Sequence, residues 1–134
     1  MRVLITGGTG SLGRALIRRF LMLKAERVAS LSRDEVKAGA LTEEFGNHPA
    51  LRVFLGDVRD RLRLARAFIG MDTVVHAAAL KKVDRGSYWP DEILKTNVLG
   101  TQNVIDAALE AGVRRVVLTS SDKGAMAQNV YGAS

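Results

Sequence analysis

Along the chain, short runs of consecutive apolar residues alternate with longer stretches in which apolar positions recur at three- and four-residue spacing. These are the periods of buried strands and of helices with one covered face. The runs at Val3-Leu4-Ile5, Glu26 to Ser32, Leu51 to Leu55, Thr73 to His76 and Arg115 to Thr119 are expected to be strands. Between them, a stretch with Leu12, Ala15, Leu16, Phe20 and Leu23 on one face, then Val36 to Phe45, Leu62 to Phe68 and Pro90 to Ala111, read as helices. The last is the longest, with Pro90 suited to a first turn and Ile93, Leu94, Val98, Thr101, Val104, Ile105, Ala108 and Leu109 forming one broad apolar face. Gly46-Asn47-His48-Pro49, Gly70 and Gly112 punctuate the pattern. Strands alternating with helices over residues 1–134 predict one α/β domain, a doubly wound parallel sheet of strand order 3-2-1-4-5.

The first strand runs directly into Thr6-Gly7-Gly8-Thr9-Gly10-Ser11-Leu12-Gly13. Gly7 permits a sharp reversal, Gly10 leaves the main chain bare where a pyrophosphate would approach, and Gly13 lets the next helix lie against the sheet. The free N–H groups of that helix's first turn and the positive end of its dipole face the same point. A lone glycine triplet is a weak signal, but a strand before it and an amphipathic helix after it are the context of a Rossmann-type dinucleotide unit. A turn with no ligand would need only one or two glycines. The segment from Gly7 to Gly13, including Thr9, Gly10, Ser11 and Leu12, is therefore the expected phosphate cradle.

In such a unit the end of the second strand meets the adenosine ribose, where a carboxylate selects NAD and an arginine accommodates the 2′-phosphate of NADP. Ser32 stands in the place of the acid and Arg33 follows. The pattern favours NADP, with NAD possible, Arg33 as the phosphate clamp and Lys37 assisting. The alternative makes Asp34 the ribose acid and Arg33 a solvated helix-start residue. Asp57, at the carboxyl end of the third strand, is positioned to accept from the adenine amino group, while Asp60 is better placed to cap the following helix. Ala77, Ala78 and Ala79 leave room for the nicotinamide end; tight helix-sheet packing is the plainer reading. His76 is expected to be a packed polar residue, neither ligand nor base. Asn97, among apolar neighbours, needs partners and is either a tie from the helix to the active-site loop or a half-exposed residue of no consequence.

Composition narrows the function classes. Lys and Arg number 20 against 14 Asp and Glu, a formal net charge of +6 with an isoelectric point near 10.2. The arginines are dispersed over separate elements, so solvated helix faces explain the charge better than a nucleic-acid surface, and no nucleic-acid partner is expected. The positive field suits an anionic cofactor and an anionic substrate such as a nucleotide-sugar. The absence of cysteine excludes disulfides, thiol nucleophiles and cysteine metal sites, and two histidines alone build no zinc site, so no metal is expected. Met1 leads almost directly into a strand, with no charged leader, no apolar signal region and no apolar run near eighteen residues. Neither export nor membrane insertion is indicated, and a cytoplasmic location is expected.

Seven motifs together resemble a known family: TGGTGSLG at 6–13, SRDEVK at 32–37, GDVRD at 56–60, HAAALK at 76–81, KTN at 95–97, SSDK at 120–123 and NVYGAS at 129–134. They resemble the extended short-chain dehydrogenase/reductases. Within these, the chain looks most like the soluble UDP-N-acetylglucosamine 4,6-dehydratases, inverting at C5, that begin pseudaminic acid synthesis, and their capsule-pathway relatives. The resemblance spans the whole chain and implies cofactor contacts at Val58 and Lys81 as well as at the residues above. It further implies that Tyr131 takes the proton of the sugar 4-hydroxyl as hydride leaves C4 for NADP+, that Lys123 removes the C5 proton, and that Asp122 protonates the departing 6-hydroxyl before hydride returns to C6. From their own chemistry alone, Asp122 and Lys123 read as a surface ion pair closing a loop. The membrane-bound branch has methionine at the tyrosine position, so Tyr131 points to the soluble branch.

The chain departs from that family in two places. Met126-Ala127-Gln128-Asn129 stands where relatives read Asn-Pro-x-Asn, and the lysine that follows the tyrosine by four residues would fall at position 135. The expectation is a truncated cofactor-binding half without its substrate domain, acting on the UDP-N-acetylglucosamine class of substrate when complete and inactive alone. A non-catalytic NADP-binding module completed by a partner, or another extended nucleotide-sugar epimerase or dehydratase, is the alternative. A homo-oligomer is also expected, through the long helix, the fifth-strand edge or the 120–134 tail, with Val98, Val104 and Ile105 partly exposed.

Overall fold

The computed structural model describes residues 1–81 and 89–134. In chain order its elements are β1 (Arg2–Thr6), α1 (Ser11–Met22), β2 (Arg27–Ser32), α2 (Glu35–Glu44), β3 (Leu51–Leu55), α3 (Arg61–Phe68), β4 (Thr73–His76), α4 (Pro90–Ile93), a π-helical segment (Leu94–Leu99), α5 (Gly100–Glu110), β5 (Arg115–Leu118), a 3-10 turn (Asp122–Gly124) and α6 (Val130–Ala133). The strands form one sheet of order β3-β2-β1-β4-β5, parallel throughout. This is the expected doubly wound fold.

The central strand explains why both sheet faces are covered. Successive side chains of β1 point to opposite faces, and Val3, Leu4 and Ile5 are all fully buried. Leu4 joins Leu31, Leu64, Phe68, Val74, Val104 and Ala108 on one side. Val3 and Ile5 join Ile17, Val28, Leu41 and Val75 on the other, with Leu16 and Phe20 packed against them. Burial of each large aliphatic or aromatic side chain contributes about 1.5–3 kcal/mol relative to leaving it exposed, so a strand with no polar face is stable only between two helical layers.

Two expected helix faces are corrected. In α1 the covered side is centred on Gly13 and Ile17, one turn apart, while Leu12, Ala15 and Leu23 are exposed. Gly13 is pressed against the turn that precedes the helix, and this contact fixes the rotation of the helix about its axis. The stretch from Pro90 to Ala111 is likewise not one α-helix. The π-helical segment carries more residues per turn than its flanks, so apolar positions before and after it do not share a stripe. Ile93, Thr96, Gly100, Val104, Ala107 and Ala108 face inward, whereas Leu94, Val98, Leu99 and Leu109 are exposed. Val104, expected to be partly exposed, is 0% exposed and belongs to the cluster around Phe68.

Strand β5 pairs with β4 and is exposed along its whole length. Among the described residues no helix is long and apolar enough to cross a membrane.

Candidate dinucleotide cleft

The turn after β1 is held by backbone contacts that exclude side chains. Gly7 has φ +72°, a conformation that favours glycine, and its N–H donates to the Leu31 carbonyl at 2.8 Å. A Cβ on Gly7 would lie 2.9 Å from the Ala77 carbonyl carbon and the Ala78 nitrogen, and one on Gly8 would lie 2.1 Å from Ser30 Oγ. At Gly10 the only near atom is Gly7 O, at 3.3 Å, so the outer side of the turn stays open. Gly10 is also the N-cap of α1, makes no side-chain cap hydrogen bond, and is followed by no acidic residue in the first turn. The first-turn N–H groups of the helix, beginning at Ser11 and Leu12, are therefore without a side-chain cap, and its positive dipole end is uncompensated by an acid in that turn.

At the end of β2, Ser32 is 7% exposed and its hydroxyl has no protein partner. Asp34 Oδ1 caps α2 by accepting from the Lys37 N–H at 3.0 Å, and the Lys37 ammonium lies 3.5 Å from Oδ2. The cap holds the Asp34 carboxyl below its ordinary pKa, chiefly through that backbone hydrogen bond. The acid that rivals Arg33 for a ribose is thus already engaged in the helix start. Arg33 is half exposed, with Nη1 4.0 Å from Asp57 Oδ2.

Asp57 has a partner the sequence reading missed. Its Oδ1 accepts from the Arg59 N–H at 2.9 Å, and Oδ2 accepts from Arg59 Nε and Nη2 at 3.0 and 2.8 Å. Burial pushes the Asp57 pKa up, but the hydrogen bonds and charge of Arg59 outweigh it and hold the carboxyl below its usual range. Arg59 also donates to Glu92 at 2.6 Å, so one guanidinium ties the β3 exit to α4. Asp60 takes the expected capping role, accepting from the Arg63 N–H at 2.9 Å. The available signal was an arginine two residues after an aspartate, a spacing that an Asx turn brings together.

On the β4 side, Asn97 makes the helix-to-loop tie. Its Oδ1 accepts from the Leu80 N–H at 2.8 Å, and its Nδ2 donates to the Leu80 carbonyl at 3.0 Å. Behind this clamp a Cβ on Gly100 would meet Val58 Cγ2 at 2.7 Å, so the glycine lets α5 approach the β3 exit. His76 is buried between Thr6 and Thr101, and burial pushes its pKa down to about 4.

These walls enclose a cleft of about 890 Å³, within the roughly 300–1,000 Å³ of small-molecule and cofactor sites. It brings together Gly7, Thr9, Gly10, Ser32, Arg33, Lys37, Asp57, Val58, Ala77, Ala78, Ala79 and Lys81, with Leu31, Asp34, Gly56, Arg59, Leu80, Trp89, Ile93 and Thr96 in addition. Ser11, Leu12, Gly13 and Asn97 are outside its lining, with Gly13 packed on the turn and Asn97 bonded to Leu80. The open glycine turn, Arg33, Lys37 and the orphaned Ser32 hydroxyl fit a dinucleotide.

Asp122, Lys123 and Tyr131 do not line this cleft. Lys123 Nζ donates to Asp122 Oδ2 at 2.8 Å on an exposed turn, the ion pair that their chemistry alone suggests. The contact holds Asp122 below and Lys123 above their ordinary pKa values. Tyr131 is linked back to the clamp, because its carbonyl accepts from Ser134 Oγ at 2.9 Å and Ser134 Oγ accepts from Asn97 Nδ2 at 2.9 Å. In the 126–129 segment, Met126 has φ +60° and Asn129 caps α6 through the Gly132 N–H at 2.9 Å. Among the described residues no cluster of histidine and carboxylate side chains could hold a metal ion.

A glycine turn at the carboxyl edge of a doubly wound sheet, where β1 separates β2 from β4, defines a Rossmann-type domain with its crevice at the topological switch point. The chain belongs to the polysaccharide biosynthesis protein family, whose model matches residues 3–134. It is 45% identical over 133 residues to the UDP-N-acetylglucosamine 4,6-dehydratase (inverting) of Campylobacter jejuni subsp. jejuni serotype O:2, an alignment covering 98% of this chain and 40% of that protein. The solved structure of Pen from Bacillus thuringiensis superposes with a TM-score of 0.96 at 41% identity, over 98% of this chain and 41% of that one. DesIV, a dTDP-glucose 4,6-dehydratase from Streptomyces venezuelae solved with NAD and TYD bound, gives a TM-score of 0.78 at 36% identity, over 87% and 38%. The chain thus spans about 40% of the length of the relatives it matches.

Proposed function

We propose that the chain is the cofactor-binding part of a nucleotide-sugar 4,6-dehydratase of the UDP-N-acetylglucosamine class, located in the cytoplasm and holding NADP in preference to NAD. The observation that carries this reading is the cleft itself, with Arg33 and Lys37 at the β2 end, the open glycine turn after β1 in the middle and three alanines at the β4 end. Likeness to dehydratases over nearly the whole chain supports the same reading.

When bound, the cofactor supplies a reversible hydride acceptor. In this reading the turn from Gly7 to Gly13 and the first turn of α1 hold the phosphates, Arg33 and Lys37 the 2′-phosphate, and Asp57 and Val58 the adenine. Ala77, Ala78, Ala79, Lys81 and the Asn97 clamp shape the nicotinamide end. Tyr131 is assigned to take the 4-hydroxyl proton, Lys123 the C5 proton, and Asp122 to protonate the 6-hydroxyl. In the exposed ion pair both shifts oppose these last two roles, since Lys123 keeps its proton and Asp122 resists gaining one. Covering the pair would favour the neutral forms of both groups, which is the task this reading gives to a substrate-binding wall beyond the cofactor part.

Titration with NADP+ and NAD+ tests the assignment. NADP+ is expected to bind more tightly, and Arg33→Ala to reduce that preference by about ten- to a hundredfold, the equivalent of roughly 1–3 kcal/mol for a charge-assisted phosphate contact. An unchanged affinity ratio in Arg33→Ala would remove Arg33 from the role.

Self-association belongs to the same proposal. Leu94, Val98 and Leu99 are exposed apolar residues, and strand β5 is exposed; such surfaces favour a second copy of the chain. Light scattering is expected to give a mass of at least two chains; a monomer that persists on concentration would count against it.

A further inference from the structure

The switch point of the sheet carries a chain of hydrogen bonds whose direction can be assigned. His76 is 4% exposed. Its Nδ1 lies 2.7 Å from Thr6 Oγ1 and its Nε2 lies 3.0 Å from Thr101 Oγ1. Each hydroxyl has one proton to give. Thr101 donates its proton to the Asn97 carbonyl at 2.6 Å, so toward His76 it can only accept, and Nε2 must carry the ring proton. Nδ1 is then the acceptor and Thr6 the donor, while Thr6 Oγ1 itself accepts from the Ala78 N–H at 3.3 Å.

The resulting order is Ala78 N–H to Thr6, Thr6 to His76, His76 to Thr101, and Thr101 to the Asn97 carbonyl. Both ends are main-chain groups, Ala78 in the cleft lining and Asn97 directly behind it. One end is the β4 exit that closes against Gly7, and the other is the π-helical residue whose side chain clamps Leu80. A histidine that only filled a core position would need partnered nitrogens, but those partners would have no reason to terminate on one lining residue, Ala78, and on the residue that clamps another, Leu80.

We infer that His76 is a positioning residue for this cleft, held as the neutral Nε2–H tautomer, and that with Thr101 it sets the β4 exit and the Asn97 clamp at a fixed separation. The inference rests on the dinucleotide reading for its consequence in binding, but the geometry can be tested without any ligand.

The experiment uses the full 134-residue chain labelled with ¹⁵N. Long-range imidazole spectra at neutral pH are expected to give the Nε2–H pattern for His76. Because substitution of His76 removes a buried group and endangers folding, the test variants are Thr101→Val, which keeps shape and removes the acceptor, and Thr101→Ser, which restores it. In Thr101→Val the amide resonances of Ala78 and Leu80 should move and NADP+ affinity should fall by about tenfold, the loss of roughly one net hydrogen bond; Thr101→Ser should reverse both. An Nδ1–H or doubly protonated ring, or Ala78 and Leu80 amides unmoved in Thr101→Val, overturns the inference. Wild-type protein that binds neither NADP+ nor NAD+ overturns the dinucleotide reading, and the spectra then decide the positioning role alone.

Discussion

Alanine at Gly13 is expected to destabilise the domain by about 3 kcal/mol or more and to abolish dinucleotide binding. Its Cβ would lie 2.5 Å from Gly7 O, 2.5 Å from Gly8 Cα and 2.7 Å from the Gly8 carbonyl carbon. All three are backbone atoms of the turn, so no side chain can swing aside, and α1 must retreat from the sheet on which Ile17 and Phe20 pack. Overpacking of this kind typically costs 1–3 kcal/mol and sometimes more, and retreat of the helix also withdraws its first-turn N–H groups from the point where they are proposed to hold a phosphate. Gly39 gives the contrast. It lies inside α2 on an exposed face, and a Cβ there meets nothing within 4 Å. Gly39→Ala should stabilise the domain by up to ~1 kcal/mol through helix propensity and a less flexible unfolded chain. Thermal melts decide both, at about 4 °C per kcal/mol for a domain of this size. A Gly13→Ala melt within about 2 °C of wild type would show that the turn can yield.

Acid should destabilise the fold in two separate windows. Burial lowers the His76 pKa from 6.5 to about 4, so between these values the unfolded chain holds more protons than the folded one. Stability therefore falls as pH drops through this interval, is unaffected by His76 above pH 6.5, and loses nothing further from it below about pH 4. At 1.36 kcal/mol per pKa unit the full effect is about 3 kcal/mol. Asp72 acts lower down: the side-chain and backbone hydrogen bonds from Arg2 take it from 3.8 to about 2, so its contribution is present above pH 3.8 and is lost as pH falls toward 2. Denaturant unfolding as a function of pH separates the two. A flat profile between pH 6.5 and 4 would mean that His76 is protonated in the native state without penalty.

The sheet was legible because each strand is an apolar run closed by a glycine, an aspartate or a small-residue cluster, and because β1 has no polar side to misplace. The glycine turn was legible for a related reason: close approach of main chain to main chain admits one residue type, and that type is visible in the sequence. The π-helical segment was not. Leu94 to Leu99 has ordinary helical composition, and the widened turn is a backbone property with no side-chain signature. The Thr6, His76 and Thr101 chain was hidden for another reason. It depends on the parallel register that sets Thr6 opposite His76, which no local pattern encodes. Arg59 was visible as a residue but not as a tie, because its second partner, Glu92, is 33 positions away.

Parallel pairing also decides when the turn can exist. During synthesis β1 emerges before the other strands of the sheet, yet the neighbour that closes it on one side is β4, and Thr6 meets His76 across a sequence separation of 70 residues. Until that long ring closes, Gly7 has no Ala77 main chain behind it and the Ala78 N–H has no Thr6 hydroxyl to meet. Contacts so distant in sequence form late and slowly, because the entropy of closing the loop opposes them before any contact compensates. The glycine turn is thus encoded next to β1 but assembled only when the closure to β4, 70 residues on, has formed. Any ligand that requires the closed ring must then stabilise the domain as a whole, by about 2.7 kcal/mol at a free concentration a hundred times its Kd.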